Sequence, residues 1–348
     1  MKVSEFISRR ISRAWMALMM LAMTLTSCDV IYDDEGDCTP YYYVNFVYDM
    51  NMKFADAFAP EVNDITLYVF DKDGTFVSQQ SEQGDALKQD GYRMALNLSA
   101  GKYTLVAWGG TKGELGSYSL PQLTAGTSKL EDLTCRIAQR ENTAEGAVVK
   151  QIDNLYHGML EVELPDREGE HVSTVSLTKN TNYVRVVLQN TSGQDLNASD
   201  FVFTITDDNG WLNYDNNLLQ DETLFYRPFD VREGSAGVDT GDGAITSVKA
   251  VVAETTVSRL VKGNNPILTI TKAQAEADGS HKTVLRIPLI DYALLVKGYY
   301  NRNMDDQEYL DRQDEYNMVF FLDNDQSWMN AYIYINSWRV VLSDVDMK

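Results

Sequence analysis

Tyr41-Tyr42-Tyr43-Val44-Asn45-Phe46-Val47-Tyr48 decides the fold class. Val44, Phe46 and Tyr48 fall on one side, and Asn45, Val47 and Asp49 on the other. A period of two carried by β-branched and aromatic residues predicts a half-buried strand. Segments of the same kind recur along the chain. Ile65 to Phe70 and Phe76-Val77 flank Asp71-Lys72-Asp73-Gly74, where glycine accepts the positive φ of a tight hairpin. The acids of that turn do not meet the calcium-loop pattern, so they read as turn residues. Tyr92 to Leu98, Tyr103 to Trp108, Leu155 to Leu164 and Val172 to Leu177 are further strands.

The pattern restarts near Thr178-Lys179-Asn180. Val184, Val186 and Leu188 alternate with Arg185 and Val187. Phe201, Phe203 and Ile205 follow, ended by Asp207-Asp208-Asn209-Gly210. Val248 to Thr256, Ile267 to Thr271, Thr283 to Ile287, Tyr316 to Leu322 and Ala331 to Leu342 complete the set. Short strands at this spacing predict an all-β protein of two tandem sandwiches, residues 41–180 and 181–348. Residues 109–154 are too long for a plain connection and imply extra elements or an interaction surface. The glycine-rich stretch 230–247 reads as a mobile loop. Pro288 to Val296 is the best helix candidate, and Asp305 to Arg312 one short turn of helix.

Before the first strand the chain reads differently. Lys2, Arg9, Arg10 and Arg13 precede an apolar run from Ala14 to Leu25 that is short for a bilayer span. Leu25-Thr26-Ser27-Cys28 looks like a bacterial lipobox, with Thr26 a little larger than the usual occupant. Residues 1–27 are therefore expected to be a lipoprotein signal peptide, and Cys28 the lipidated residue. At about 0.8 kcal/mol per buried methylene, several acyl chains on Cys28 would hold the protein at a membrane unaided. Residues 28–40 form an acidic tether, with Asp29, Asp33, Asp34, Glu35 and Asp37.

The 348 residues carry 30 Lys and Arg against 51 Asp and Glu. Removing residues 1–27 leaves 26 bases, 50 acids and a net charge of −24. That balance argues against nucleic acid and against lying on an anionic leaflet. With Cys28 assigned to the lipid, Cys38 and Cys135 are an even pair in an exported chain and are predicted to form a disulfide. The alternative is two buried thiols that never meet, since pairing needs Cα atoms within about 7 Å.

Chemistry-bearing patterns are sparse. His157, His171 and His281 have no second His or Cys at ligand spacing, so neither a metal site nor a cofactor is expected. No nucleophile elbow, phosphate loop or dinucleotide fingerprint is present. Asp311, Asp314 and Glu315 could suggest a glycosidase pair, but sequence neighbours without a cleft read as a local salt-linked turn with Arg312. The expectation is a protein that is not an enzyme. Trp108, Trp211, Trp328 and Trp338 could form a sugar platform, which makes a surface glycan-binding lipoprotein the alternative function. Burial in a core is the other reading of those rings.

Several stretches together resemble one family: Cys38-Thr39-Pro40 with Val44 to Asp49, Leu67-Tyr68-Val69-Phe70-Asp71, Gly101 to Trp108, Leu155-Tyr156-His157-Gly158, Tyr309 to Tyr316, and Ile335-Asn336-Ser337-Trp338. The set is similar to the FimB-type fimbrial anchor lipoproteins of the Bacteroidales (type V pilus subunits). The resemblance implies two transthyretin-like β-sandwich domains. It implies a lipid-anchored outer-membrane protein exposed at the cell surface, and the acids after Cys28 resemble the export signals of such proteins. It implies partners that are fimbrial (pilin) subunits joined by β-strand exchange, with roles in fibre anchoring, length and adhesion. Main-chain hydrogen bonds to an open sheet edge would supply such a contact. Arg339 to Leu342 could be a donor strand or an edge strand of its own domain.

Overall fold

The computed structural model describes residues 39–192, 194–239, 245–298, 301–329 and 332–341. The first half holds β1 (Pro40–Met50), α1 (Phe58–Glu61), β2 (Asp64–Asp71), β3 (Phe76–Gln83), β4 (Met94–Leu96) and β5 (Gly101–Gly109). It continues with β6 (Tyr118–Ser119), β7 (Thr134–Ile137), β8 (Glu141–Thr143), β9 (Gly146–Val149), β10 (Tyr156–Leu164) and β11 (Gly169–Lys179). The second half holds β12 (Thr181–Asn190), β13 (Phe201–Asp207), β14 (Trp211–Asn213), β15 (Leu224–Tyr226), β16 (Asp230–Asp239), β17 (Ile245–Ser258), β18 (Ile267–Ala275) and β19 (His281–Pro288). Then come α2 (Leu289–Leu294), α3 (Asp306–Arg312), β20 (Glu315–Leu322), β21 (Tyr332–Ile335) and β22 (Trp338–Val341). The all-β expectation holds.

Seven strands form one sheet in the order β3-β2-β5-β10-β11-β1-β4. The alternation of residues 41–48 becomes burial: Tyr42, Val44, Phe46 and Tyr48 are inward, their neighbours more exposed. Ile65, Leu67, Val69, Leu105 and Ala107 join them in a small core closed by Phe58 and Val62. The opposite faces of β2 and β5 present Tyr68, Phe70, Val106 and Trp108 to a second, larger core. Burial on both faces explains why these two strands read as unbroken apolar runs.

The larger core does not stop at the expected boundary. A three-stranded sheet, β14-β7-β6, covers the back of β2 and β5 with Tyr118, Leu133, Cys135 and Ile137. Its β14 comes from the second half, pairing Trp211 with Arg136 and Asn213 with Thr134. Beyond it lies the second sandwich, with sheets β16-β17-β12-β20-β21-β22 and β19-β18-β13-β15-β9-β8. Strands β8 and β9 precede residue 180 but belong to the second half's sheet, with β9 parallel to β15. Residues 109–154 thus hold strands that tie the halves together, and residue 180 divides the chain without dividing the core. Both halves seat an early strand parallel to a late one, β1 beside β11 and β12 beside β20.

Other expectations shift. Of the stretch 230–247, β16 pairs with β17 from Asp230↔Glu254 to Asp239↔Ile245, and residues 240–244 lie outside the described residues. Gly234 and Gly237 hide a strand whose pairing with its partner runs through the backbone. The single strand expected over Ala331 to Leu342 is broken by Asn336 and Ser337, whose φ values of 47° and 70° make a two-residue hairpin turn. The strand expected over Tyr92 to Leu98 is confined to β4, and the helix expected over Pro288 to Val296 to α2. The Asp71 turn is as expected: its Oδ1 accepts the Asp73 and Thr75 amides, and Gly74 has φ 68°.

Gly158 sits where β10 and β11 press together. A Cβ there would lie 2.5 Å from the Ser176 carbonyl and 2.6 Å from Val175 Cγ1. Gly158→Ala should therefore cost about 1–3 kcal/mol through overpacking. Urea unfolding of the two proteins checks this; an unchanged midpoint would contradict the packing.

Candidate functional site

The two halves meet at residues 305–316, where the sequence offered a carboxylate pair. Asp305 caps α3 by accepting the Gln307 amide at 2.9 Å. The helix then presents Asp311 inward to Arg259 at the end of β17. Their contact is bidentate, Nε to Oδ1 and Nη2 to Oδ2, both 2.7 Å, and each side chain is only 12% exposed. Gln307 donates to the same Asp311 oxygen at 2.9 Å. Arg259 also donates to the Asn216 carbonyl at 2.7 Å. Asp311 is thus fully engaged and is not free for acid–base chemistry.

The neighbouring residues cross to the first half. Arg312 pairs with Glu308 at 2.8 Å, donates to the Asp49 carbonyl at 3.0 Å, and lies over the Phe54 ring at 4.5 Å. Asp314 accepts from Lys179 of β11 at 2.6 Å, and Glu61 of α1 is 3.6 Å from the same ammonium. Of the three acids expected in a local salt-linked turn with Arg312, Asp311 and Asp314 pair instead with Arg259 and Lys179, distant in sequence, and Glu315 has no ion pair among the described residues. Asn180 and Asn216 exchange side-chain hydrogen bonds of 2.6 and 3.0 Å in a buried setting. Asn216 adopts φ 67°, a conformation asparagine tolerates better than most residues. Nothing in the sequence pattern announced that amide pair.

His157 is buried against Trp108, ring centroids 4.5 Å apart. Its Nε2 donates to the Tyr214 carbonyl at 2.7 Å, which fixes a neutral tautomer. Burial, opposed by that hydrogen bond, holds its pKa down to about 4. His157 is therefore a packing and bridging residue between the halves. His171 and His281 make exposed contacts to the carbonyls of Arg167 and Lys272. Among the described residues no three His, Cys, Asp or Glu side chains come together as a metal cluster. Cys28 and Cys38 lie outside the described residues. Cys135 is a thiol buried in the larger core, and burial pushes its pKa far above the usual range.

The tryptophans do not converge on one surface. Trp108 is fully buried, Trp328 packs on Phe320, and Trp211 lies under Arg136. Trp338, 62% exposed, stands alone at the start of β22. That strand is the edge of its sheet, paired with β21 on one side. Among the described residues Arg339 to Val341 thus pairs within its own domain and is the last strand of its sheet; Leu342 lies outside the described residues. The opposite end of the molecule is set by β1. Pro40 pairs with Gly169, at the end of the sheet where Gly101 meets Leu164. From there β1 runs to Asp49, which touches Arg312. Strands β12 and β20 continue away from the junction, from Tyr183↔Glu315 to Asn190↔Leu322. Strand β22 runs the same way, from Trp338 to Val341. The start of the described chain and its last strand therefore end at opposite poles.

Residues 34–344 match the family described as fimbrillin-A associated anchor proteins Mfa1 and Mfa2. The minor fimbrium anchoring subunit Mfa2 of Porphyromonas gingivalis is 25% identical over 226 residues, covering 63% of this chain and 66% of that one. A solved structure of the fimbrial anchor protein Mfa2 from the same organism superposes with a TM-score of 0.63 at 18% identity, over 88% of this chain and 100% of the other. A Bacteroides thetaiotaomicron structure described as a candidate adhesin has a TM-score of 0.77 at 36% identity, covering 89% of this chain and 100% of its own. A second from that organism, described as a candidate polysaccharide-binding protein, has a TM-score of 0.75 at 32% identity, covering 88% and 100%.

Two outcomes follow from the junction. Arg259→Met strands a nearly buried Asp311 and should cost about 3 kcal/mol in urea unfolding, while Arg259→Met with Asp311→Leu should recover most of it. Equal losses in the single and double variants would contradict the pairing. For His157, the folded-state pKa lies below the unfolded value of about 6.5, so the unfolded chain takes up the proton first. Its contribution is complete above pH of about 6.5 and is lost as pH falls towards 4. Between pH 6.5 and 5 this amounts to about 1–2 kcal/mol, a slope that His157→Gln should remove.

Proposed function

The chain belongs to the fimbrillin-A associated anchor protein family, and from that premise we propose that it is an outer-membrane lipoprotein holding a fimbria at the cell surface. Family and fold are of a structural, adhesin-like type, associated with fimbriae. In the proposed role Cys28 carries the lipid, residues 28–40 are the tether, and fimbrial subunits dock by β-strand exchange. The molecule then helps set fibre assembly and length, and supports adhesion.

The observation that supports this reading is that the first described strand and the last run to opposite sides of the junction. A tether entering at Pro40 would leave the far end of β22, with its outer strand edge, directed away from the membrane. An open edge offers main-chain donors and acceptors to an incoming strand, and Trp338 gives it an exposed aromatic anchor at the junction end. An anchor that joins two bodies needs this separation of attachments; a small-molecule enzyme does not.

A surface glycan-binding role remains the second reading, favoured by the relative described as a polysaccharide-binding candidate. The dispersal of the tryptophans leaves it without a shared ring platform. Purification of the mature, detergent-extracted protein from its own cells separates the two. Fimbrial subunits that stay bound through mild detergent are the expected result. Recovery with bound polysaccharide and no fimbrial subunit would overturn the anchor role.

A further inference from the structure

Asp207 ends β13 on the inward-facing row that begins with Phe201, Phe203 and Ile205. It is only 6% exposed, and its Oδ2 is buried with no hydrogen-bond partner. A carboxylate drawn out of water with half its acceptor capacity unfilled is costly and calls for a compensating group. Its other oxygen accepts the Asp208 amide at 2.9 Å and the Asn264 side-chain amide at 3.0 Å. The exposed Asp208 carboxylate accepts from the same Asn264 nitrogen at 2.7 Å. Two acidic side chains thus converge on one neutral amide. Among the described residues neither takes part in an ion pair, although 30 Lys and Arg are distributed over the chain. The turn that delivers Asn264 is closed by its amide on the Val261 carbonyl at 3.0 Å, with Gly263 at φ +103°.

We propose that Asp207, Asp208 and Asn264 bind one hard divalent cation of the calcium type. A half-turn of the Asn264 amide replaces its nitrogen by Oδ1, so that three side chains present oxygen to one point, and amide orientation follows whatever partner is present. Asp208 lies on the solvent side and provides the entry path, while Asp207 closes the inner side. Calcium accepts six to eight oxygens, so water completes the shell, and the site belongs with weak extracellular sites of about 10⁻⁴–10⁻³ M. The cation would tie the end of β13 to the turn between β17 and β18, at one end of the second sandwich.

The test is calcium titration of the chelator-treated mature protein, followed by calorimetry and by thermal melting. One saturable site per chain and a higher melting midpoint are expected. Asp208→Asn, on an exposed residue that leaves folding intact, should weaken binding about tenfold or more. Asp207→Asn should do the same, whereas Asp71→Asn, in an exposed turn elsewhere, should leave binding unchanged. No saturable binding at millimolar calcium would overturn the proposal. So would binding retained in both site variants, which would mark it as diffuse attraction to an acidic surface.

Discussion

The bidentate contact of Arg259 with Asp311 is the constraint on which the junction depends. Two charges nearly removed from water are tolerated only when geometry and added hydrogen bonds repay the desolvation. Here Gln307 and the Asn216 carbonyl complete the set. The pair fixes α3 against the end of β17. With α3 fixed, Arg312 reaches the end of β1 and Asp314 reaches Lys179. Contacts from a two-turn helix and the residues just after it thus tie the second half to the first. The buried Asn180–Asn216 exchange and the His157–Tyr214 hydrogen bond lie in the same layer.

Packing makes the junction stiff. The larger core extends from the back of β2 and β5, through β14-β7-β6, into the second sandwich. Strands β8 and β9 complete a sheet of the second half, and β14 of the second half joins the sheet of β6 and β7. A break between the halves would expose a continuous apolar surface in addition to breaking ion pairs, and the area term is the larger cost. In the proposed role this suits a body attached at both poles, since displacement at one end is passed to the other through packed strands.

Much of the strand content was legible because alternation and burial coincide, as in β1 and β12. The double-faced runs in β2 and β5 were legible as strands, but not as the wall shared by two cores, because a sequence does not show which face meets which neighbour. Residues 230–239 were misread since Gly234 and Gly237 weaken the side-chain signal, while a strand paired through its backbone needs none. The Asn336-Ser337 turn was hidden because neither residue is glycine, although asparagine accepts positive φ. At the junction, Asp311, Arg312, Asp314 and Glu315 read as one local salt-linked turn, and the distant partners of Asp311 and Asp314 did not show. Arg259 and Lys179 lie 52 and 135 residues away, and charge partners at such separation leave no spacing rule to read. Asp207 and Asp208 looked like turn acids, and only the structure brings Asn264 to them.

The most direct measurement is the fraction of fimbriae retained on cells whose only copy of this protein carries Cys28→Ala. If the chain joins a lipid at one pole to a fibre at the other, intact fimbriae should pass into the medium while the subunits are still made and assembled. Fimbriae that stay on the cell in normal number, with the variant protein released, would contradict the account.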